Sequence, residues 1–243
     1  MEWTNNHWMK KHISKKALYW AAGTLLLAGC ADTRPENSAQ NAAPRFTHPR
    51  EITNLYLPLT SLRQDVLENR KECVERTAEP EIHKTFRLGT QTIEALAVED
   101  RELDTKGNLT EVTLDYFAQA DDGTVYYLGE DVDEYKNGKV AGHSGAWLLG
   151  RDTQRPGVLM PAHPKVGDRF RAEDVPHITW EQDEVVSVSE TATVPAGTFR
   201  NCVKIKERAD DGGTEYKLYA PGVGCIKEIE SDGELPLKSH AAK

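Results

Sequence analysis

Apolar and polar residues alternate with period two over much of this chain, the pattern of half-buried β-strands. Val112, Leu114 and Tyr116 alternate with Thr113, Asp115 and Phe117; Asp121, Asp122 and Gly123 then supply turn chemistry ahead of a β-branched and aromatic run at 124–128. That order predicts a hairpin. Asn137-Gly138, between residues 133–135 and 139–141, predicts a second, tight connection of type I′, because both central residues of that turn need positive φ. Further on, Val186, Val188, Ala192 and Val194 hold one parity against Ser187, Ser189, Thr191 and Thr193. Glu190 breaks that alternation in the way a β-bulge would.

The C-terminal part predicts a three-stranded meander over 198–208, 214–220 and 225–230, with turns at 210–213 and 221–224. Phe199, Val203, Ile205, Tyr216, Leu218 and Ile226 are expected on one face of it. Residues 60–77 fit a helix through Leu62, Val66, Leu67, Cys73 and Val74, but sheet signals continue at once in 84–98, so strands are assigned there. Residues 155–168 carry three prolines and two glycines and read as a long ordered crossing loop that caps one end of the sheet. The fold expected is mainly β: a single antiparallel curved sheet, half-barrel or sandwich over residues 51–235, followed by a disordered tail at 236–243.

Before this domain the pattern changes twice. Residues 31–50 hold three prolines and almost no apolar periodicity, which predicts a flexible tether over 30–50. Residues 1–29 have the parts of a secretory signal: Lys10, Lys11, Lys15 and Lys16, then an apolar stretch at 17–27 that is too short to span a bilayer, then Ala28-Gly29. Met9 would begin a more usual signal than Met1. The run Leu27-Ala28-Gly29-Cys30 resembles the lipobox of bacterial lipoproteins. That resemblance implies cleavage before Cys30 and a lipidated cysteine there, whose acyl chains give stable membrane anchoring. The other readings are a buried core helix, or an ordinary secretory signal in which Cys30 is incidental. Ala31 after the cysteine resembles the pattern for outer-membrane sorting. The expected location is the cell envelope, on the periplasmic side of an outer membrane or the outer face of a plasma membrane.

Charge narrows the partners. The chain has 30 basic and 39 acidic residues, and removal of 1–29 leaves 26 against 38. Nucleic acid is excluded as a partner by that balance, and the surface gives no attraction toward anionic lipid beyond what the anchor enforces. The segments 115–131 (DYFAQADDGTVYYLGED), 156–164 (PGVLMPAHP), 194–199 (VPAGTF) and 219–224 (YAPGVG) are similar to a group of secreted or lipid-anchored bacterial proteins. The resemblance spans most of 52–230, implies a β-rich domain and brings no catalytic residues with it.

Candidate chemistry is sparse. Cys73, Cys202 and Cys225 form no paired-thiol motif. In the predicted meander Cys202 and Cys225 share the face opposite the core, two strands apart at about 9–10 Å, beyond the reach of a disulfide. They are expected to be unbridged. His143 and Ser144 place a base beside a nucleophile, yet neighbours on a strand point to opposite faces, so an envelope hydrolase built on them is only the alternative reading. Glu130, Asp131, Asp133 and Glu134, near Asp121 and Asp122, could gather oxygen ligands for calcium, though a solvated acidic rim explains them as well. His163 and His177 flank the proline-rich loop and could meet around a metal. Tyr116, Tyr126, Tyr127, Trp147, Trp180, Tyr216 and Tyr219 are most simply the core; alternatively they line a curved sheet that holds an apolar or lipidic ligand. The expectation is a non-catalytic binding or envelope-support module, with an apolar ligand or an envelope protein as partner, no catalytic residues, no metal and no cofactor.

Overall fold

The structure, a computed structural model, describes residues 43–209 and 212–243. The signal at 1–29, Met9, the lipobox with Cys30, Ala31 and the tether through residue 42 lie outside the described residues. Among the described residues fourteen strands form and no helix. They are β1 (Leu62–Glu68), β2 (Glu72–Leu88), β3 (Gln91–Asp104), β4 (Leu109–Gln119), β5 (Val125–Lys136), β6 (Lys139–Gly142), β7 (Trp147–Leu148), β8 (Gly157–Met160), β9 (Arg169–Val175), β10 (Thr179–Val194), β11 (Gly197–Ala209), β12 (Thr214–Ala220), β13 (Gly224–Glu230) and β14 (Gly233–Ala242).

All pair antiparallel in one sheet of order β6-β5-β4-β3-β2-β1-β14-β13-β12-β11-β10-β9, with β7 and β8 also on β5. The sheet curls until both halves face one interior. Ala78, Val98, Phe117, Tyr127 and Trp147 of the first half are buried together with Phe170, Val185, Ile205, Tyr219 and Cys225 of the second. Two satellite cores lie elsewhere on the sheet, one around Leu67, Val74, Cys202, Ile226 and Leu237 and one around Phe86, Ile93, Tyr116 and Leu128. Each fully buried aliphatic side chain contributes about 1.5–3 kcal/mol.

The edges of the curl approach without a ladder between them. Gly157 of β8 lies so close to β9 that a Cβ on it would stand 1.7 Å from the Ala172 carbonyl oxygen. Beside it the Trp147 indole N–H donates to Glu173 at 2.9 Å, and the Thr153 hydroxyl donates to the Asp174 carbonyl at 3.3 Å. Gly129 lets β7 approach β5 in the same region: its φ is +128°, and a Cβ there would meet the Trp147 carbonyl oxygen at 2.3 Å.

The predicted hairpin at 112–128, the strands at 60–77 and the three meander strands are all present. Asn137 and Gly138 have φ of 55° and 71°, as a type I′ turn requires. Several expectations need correction. The segment 236–243 is not a disordered tail: residues up to 242 belong to β14, which lies between β1 and β13. The described end of the tether is docked, since the Phe46 ring packs edge-on against Tyr126 with centroids 5.5 Å apart and Thr47 donates to Asp121. The crossing loop contains strand β8. The inward faces also shift, because β10 changes register between Val185 and Ser187, between Ser187 and Glu190 and between Glu190 and Ala192. Val185, not Val186, is therefore fully buried in the interior, while Ala192 and Val194 join a different cluster.

The register of β11 on β12 divides the meander residues, since Val203 stands opposite Tyr219 and Ile205 opposite Lys217, while Leu218 stands opposite Lys204. Val203 and Ile205 face the interior, whereas Leu218 and Ile226 pack on the opposite side. Cys202 and Cys225 are both buried and unbridged, as expected, but they belong to different clusters and do not share a face.

Candidate functional site

The interior is built from rows of directly paired residues. His240, Asp65, Arg76, Asp100, Thr113 and Val132 stand opposite one another in turn across β14, β1, β2, β3, β4 and β5. On the second half, Val185, Ile205, Lys217 and Glu228 do the same across β10 to β13, with Asp183 opposite Glu207 one step along. Period-two alternation thus carries polar side chains on the same inward faces as Phe117, Tyr127 and Tyr219.

These faces enclose a cavity of about 150 Å³. An apolar side is formed by Leu57, Leu59, Phe117 and Leu159. Acidic groups dominate its charged lining: Asp100, Glu102, Glu111, Asp115, Glu130, Glu173, Glu181 and Glu228 line the cavity, against the two cations Arg76 and Lys217. Both cations are engaged. Arg76 donates to Asp100 through Nε at 2.9 Å and Nη2 at 2.6 Å, with Glu228 3.8 Å from Nη2. Lys217 Nζ lies 3.0 Å from Glu207 Oε2. Burial alone would pull the Lys217 ammonium down, but the carboxylates of Glu207 and Glu228 hold it well above the usual lysine range.

The aromatic wall is anchored at both ends. Phe117 stacks on Tyr127 at 5.1 Å, Tyr127 meets Trp147 edge-on at 5.2 Å, the Tyr127 hydroxyl donates to Asp115 at 2.5 Å, and Trp147 donates to Glu173. Glu173 also accepts from the Thr179 hydroxyl. Burial, reinforced by the charge of Asp100, pushes the Asp115 carboxyl up to about 7. Burial and the charge of Glu207 push Glu181 well above the carboxylate range, and burial with the charges of Glu181 and Glu207 does the same to Asp183. Asp183 Oδ1 is buried and has no hydrogen-bond partner.

These shifts fix the sign of a pH dependence. A carboxyl that keeps its proton in the folded chain, at a pH where the unfolded chain has lost it, makes folding take up protons. Stability is then highest below the ordinary carboxylate pKa and is lost as pH rises toward the folded value, from about 3.8 to about 7 for Asp115. The melting temperature is expected to fall between about pH 4 and about pH 7, and Asp115→Asn to flatten that fall. A melting temperature that rises over this interval in both proteins would contradict the assignment.

Among the residues singled out from sequence, Ser144, Glu130 and Cys225 line this cavity, as do Tyr127 and Tyr219, and the others fall elsewhere. His143 Nδ1 lies 2.8 Å from the Val132 carbonyl oxygen and 2.9 Å from Asp133 Oδ1, while the Ser144 hydroxyl donates to Glu134 Oε2 at 2.9 Å. Each is held by a different partner, so they form no nucleophile–base couple. The expected calcium ligands also disperse: Asp131 is held by Lys84 and Tyr116, Asp121 by Thr47, and Asp122 accepts from the Thr124 amide. His163 and His177 belong to no metal-sized cluster among the described residues. Of the sheet aromatics, Tyr127, Trp147 and Tyr219 face the interior. Tyr116 is buried in another cluster, against which Tyr126 packs, and Trp180 and Tyr216 lie beneath Arg171 and Lys204.

Apart from Glu130, sequence reasoning missed the charged interior. Its signal was present in the acids two apart at Glu181 and Asp183, but such spacing marks a polar face without saying that the face is enclosed. The chain matches no family model, no curated protein and no solved structure.

Proposed function

We propose that this protein is a non-catalytic binding module, held at a bacterial cell envelope by lipid on Cys30, whose ligand is a small organic cation with an apolar body. The observation that carries the reading is the cavity lining, with eight carboxylates against two cations that are already engaged by carboxylates. An enclosed acidic surface attracts a positive ligand and rejects an anion, and low-dielectric walls strengthen both effects. The volume suits a single ring, comparable to engineered cavities that take benzene. The apolar side formed by Leu57, Leu59, Phe117 and Leu159 receives the ring.

This reading departs from a purely apolar ligand for a physical reason. A lipid chain laid against these carboxylates would strip their water and return no hydrogen bond. The lipid in this account is the anchor, not the cargo. The test uses three probes of one shape and different charge: benzylamine, benzyl alcohol and benzoate, titrated calorimetrically into the chain from residue 43 onward. The amine is expected to bind roughly tenfold or more tighter than the alcohol, with no benzoate binding. Equal binding of amine and alcohol, or preference for benzoate, would overturn the reading.

A further inference from the structure

At one end of the interior, Glu181, Asp183 and Glu207 bring one carboxylate oxygen each within 4.8 Å of one another. We propose that these three side chains form a binding site for a hard divalent cation, calcium or manganese in class. It lies within the same interior as the organic ligand but does not depend on that ligand.

Geometry supports the assignment. Calcium–oxygen distances of about 2.3–2.6 Å place oxygens on opposite sides of one ion about 5 Å apart, so a set within 4.8 Å can share one ion. The second observation is Asp183 itself. Its side chain is 98 % buried, since only 2 % of the residue is exposed, and Oδ1 has no hydrogen-bond partner. A buried carboxylate oxygen without a donor costs free energy unless something positive meets it. Lys217 does not fill that role, because its recorded ion pair is with Glu207 Oε2 at 3.0 Å.

Charge and donor type select the ligand. Once a bound cation has displaced their protons, three carboxylates and one ammonium leave two negative charges, which a divalent ion neutralises. The donor set is all oxygen, without histidine or cysteine, which favours calcium, magnesium or manganese over zinc or copper. Magnesium demands near-ideal octahedral geometry and gives up water reluctantly, so the more permissive calcium and manganese suit three carboxylates on two strands. An entry path exists: Glu181 and Lys217 line the cavity, so an ion reaches the buried pair Asp183 and Glu207 from that side and can keep water ligands there.

The full chain, stripped with a chelator and dialysed, is titrated with calcium and with manganese by calorimetry, and its melting temperature is measured with and without each ion. One ion per chain and a raised melting temperature are expected. Asp183→Asn is expected to weaken binding roughly tenfold or more, because affinity follows the count of charged ligands. The same variant should melt higher than the parent when both are metal-free, since it removes a carboxyl whose buried oxygen has no hydrogen-bond partner. Glu207→Gln checks the second ligand by the same calorimetric readout. No binding at millimolar calcium or manganese, unchanged affinity in both folded variants, or a metal-free Asp183→Asn that melts below its parent would each overturn the site. None of these results depends on whether benzylamine binds, so failure here and failure of the organic-cation reading are distinguishable.

Discussion

A chain that ends at Leu235 is expected not to fold. The missing residues include the whole part of β14 that pairs with β1, from Leu237 opposite Leu67 to Ala242 opposite Leu62, whereas the retained residues 233–235 pair with β13. This strand is the one ladder connection between β1–β8 and β9–β13. Its removal exposes an edge on each half and takes away Leu237, which is fully buried. Deleting one such leucine side chain costs roughly 2–5 kcal/mol. Asp65, 3 % exposed, loses His240 at 2.6 Å from its Oδ1 and keeps its burial cost. Several such losses together exceed the roughly 5–15 kcal/mol that holds a domain folded. Circular dichroism and limited proteolysis of the truncated chain check this. A melting temperature near that of the parent would show that the sheet is held together some other way.

Trp147→Ala is expected to destabilise by roughly 4–5 kcal/mol. The ring is fully buried, packs edge-on against Tyr127 and bonds to Glu173 at the place where β7 and β9 meet. Its loss opens a cavity, removes an aromatic contact and leaves Glu173, 1 % exposed, with only the Thr179 hydroxyl among its recorded donors. Trp147→Phe separates these effects. It keeps most of the packing and loses the N–H, for an expected cost of about 1–3 kcal/mol. Urea unfolding of both variants gives the comparison. A cost below about 1 kcal/mol for the alanine variant would mean that the seam is not closed as described.

Much of the fold was legible in the sequence because period two is imposed by the strand itself. The hairpin at 112–128 and the meander follow from alternation and from glycine-bearing turns. Strand β14 was not legible for a specific reason: Pro236 interrupts the run, and proline is rare in central strands because it cannot donate to a ladder. In the structure Pro236 stands where β14 leaves β13, and Leu237 is the next residue to pair, with β1. The residue without an N–H sits at the change of partner. The register shifts in β10 were foreseen only at Glu190, and every further shift moved apolar side chains to the other face.

The candidate site was illegible because polarity along a strand reads as solvent. Glu181 and Asp183, or Asp100 and Glu102, have the spacing of an outward face, and only the curl of the whole sheet turns those faces inward. Curvature is a property of bulges and of pairings distant in sequence, such as β1 with β14. His143 and Ser144 were conspicuous in the sequence because they are adjacent, and adjacency on an extended chain is what separates their side chains.

The account rests on the interior being a site for positive ligands and not merely a costly core. Native mass spectrometry of the protein, released from its own envelope fraction without detergent, tests that most directly. The account predicts a retained mass of a small amine-bearing molecule, a divalent ion or both, displaced by benzylamine or removed by chelator. A lipid retained without a covalent bond to Cys30, or a ligand-free chain that takes up neither benzylamine nor calcium when they are added, would contradict it.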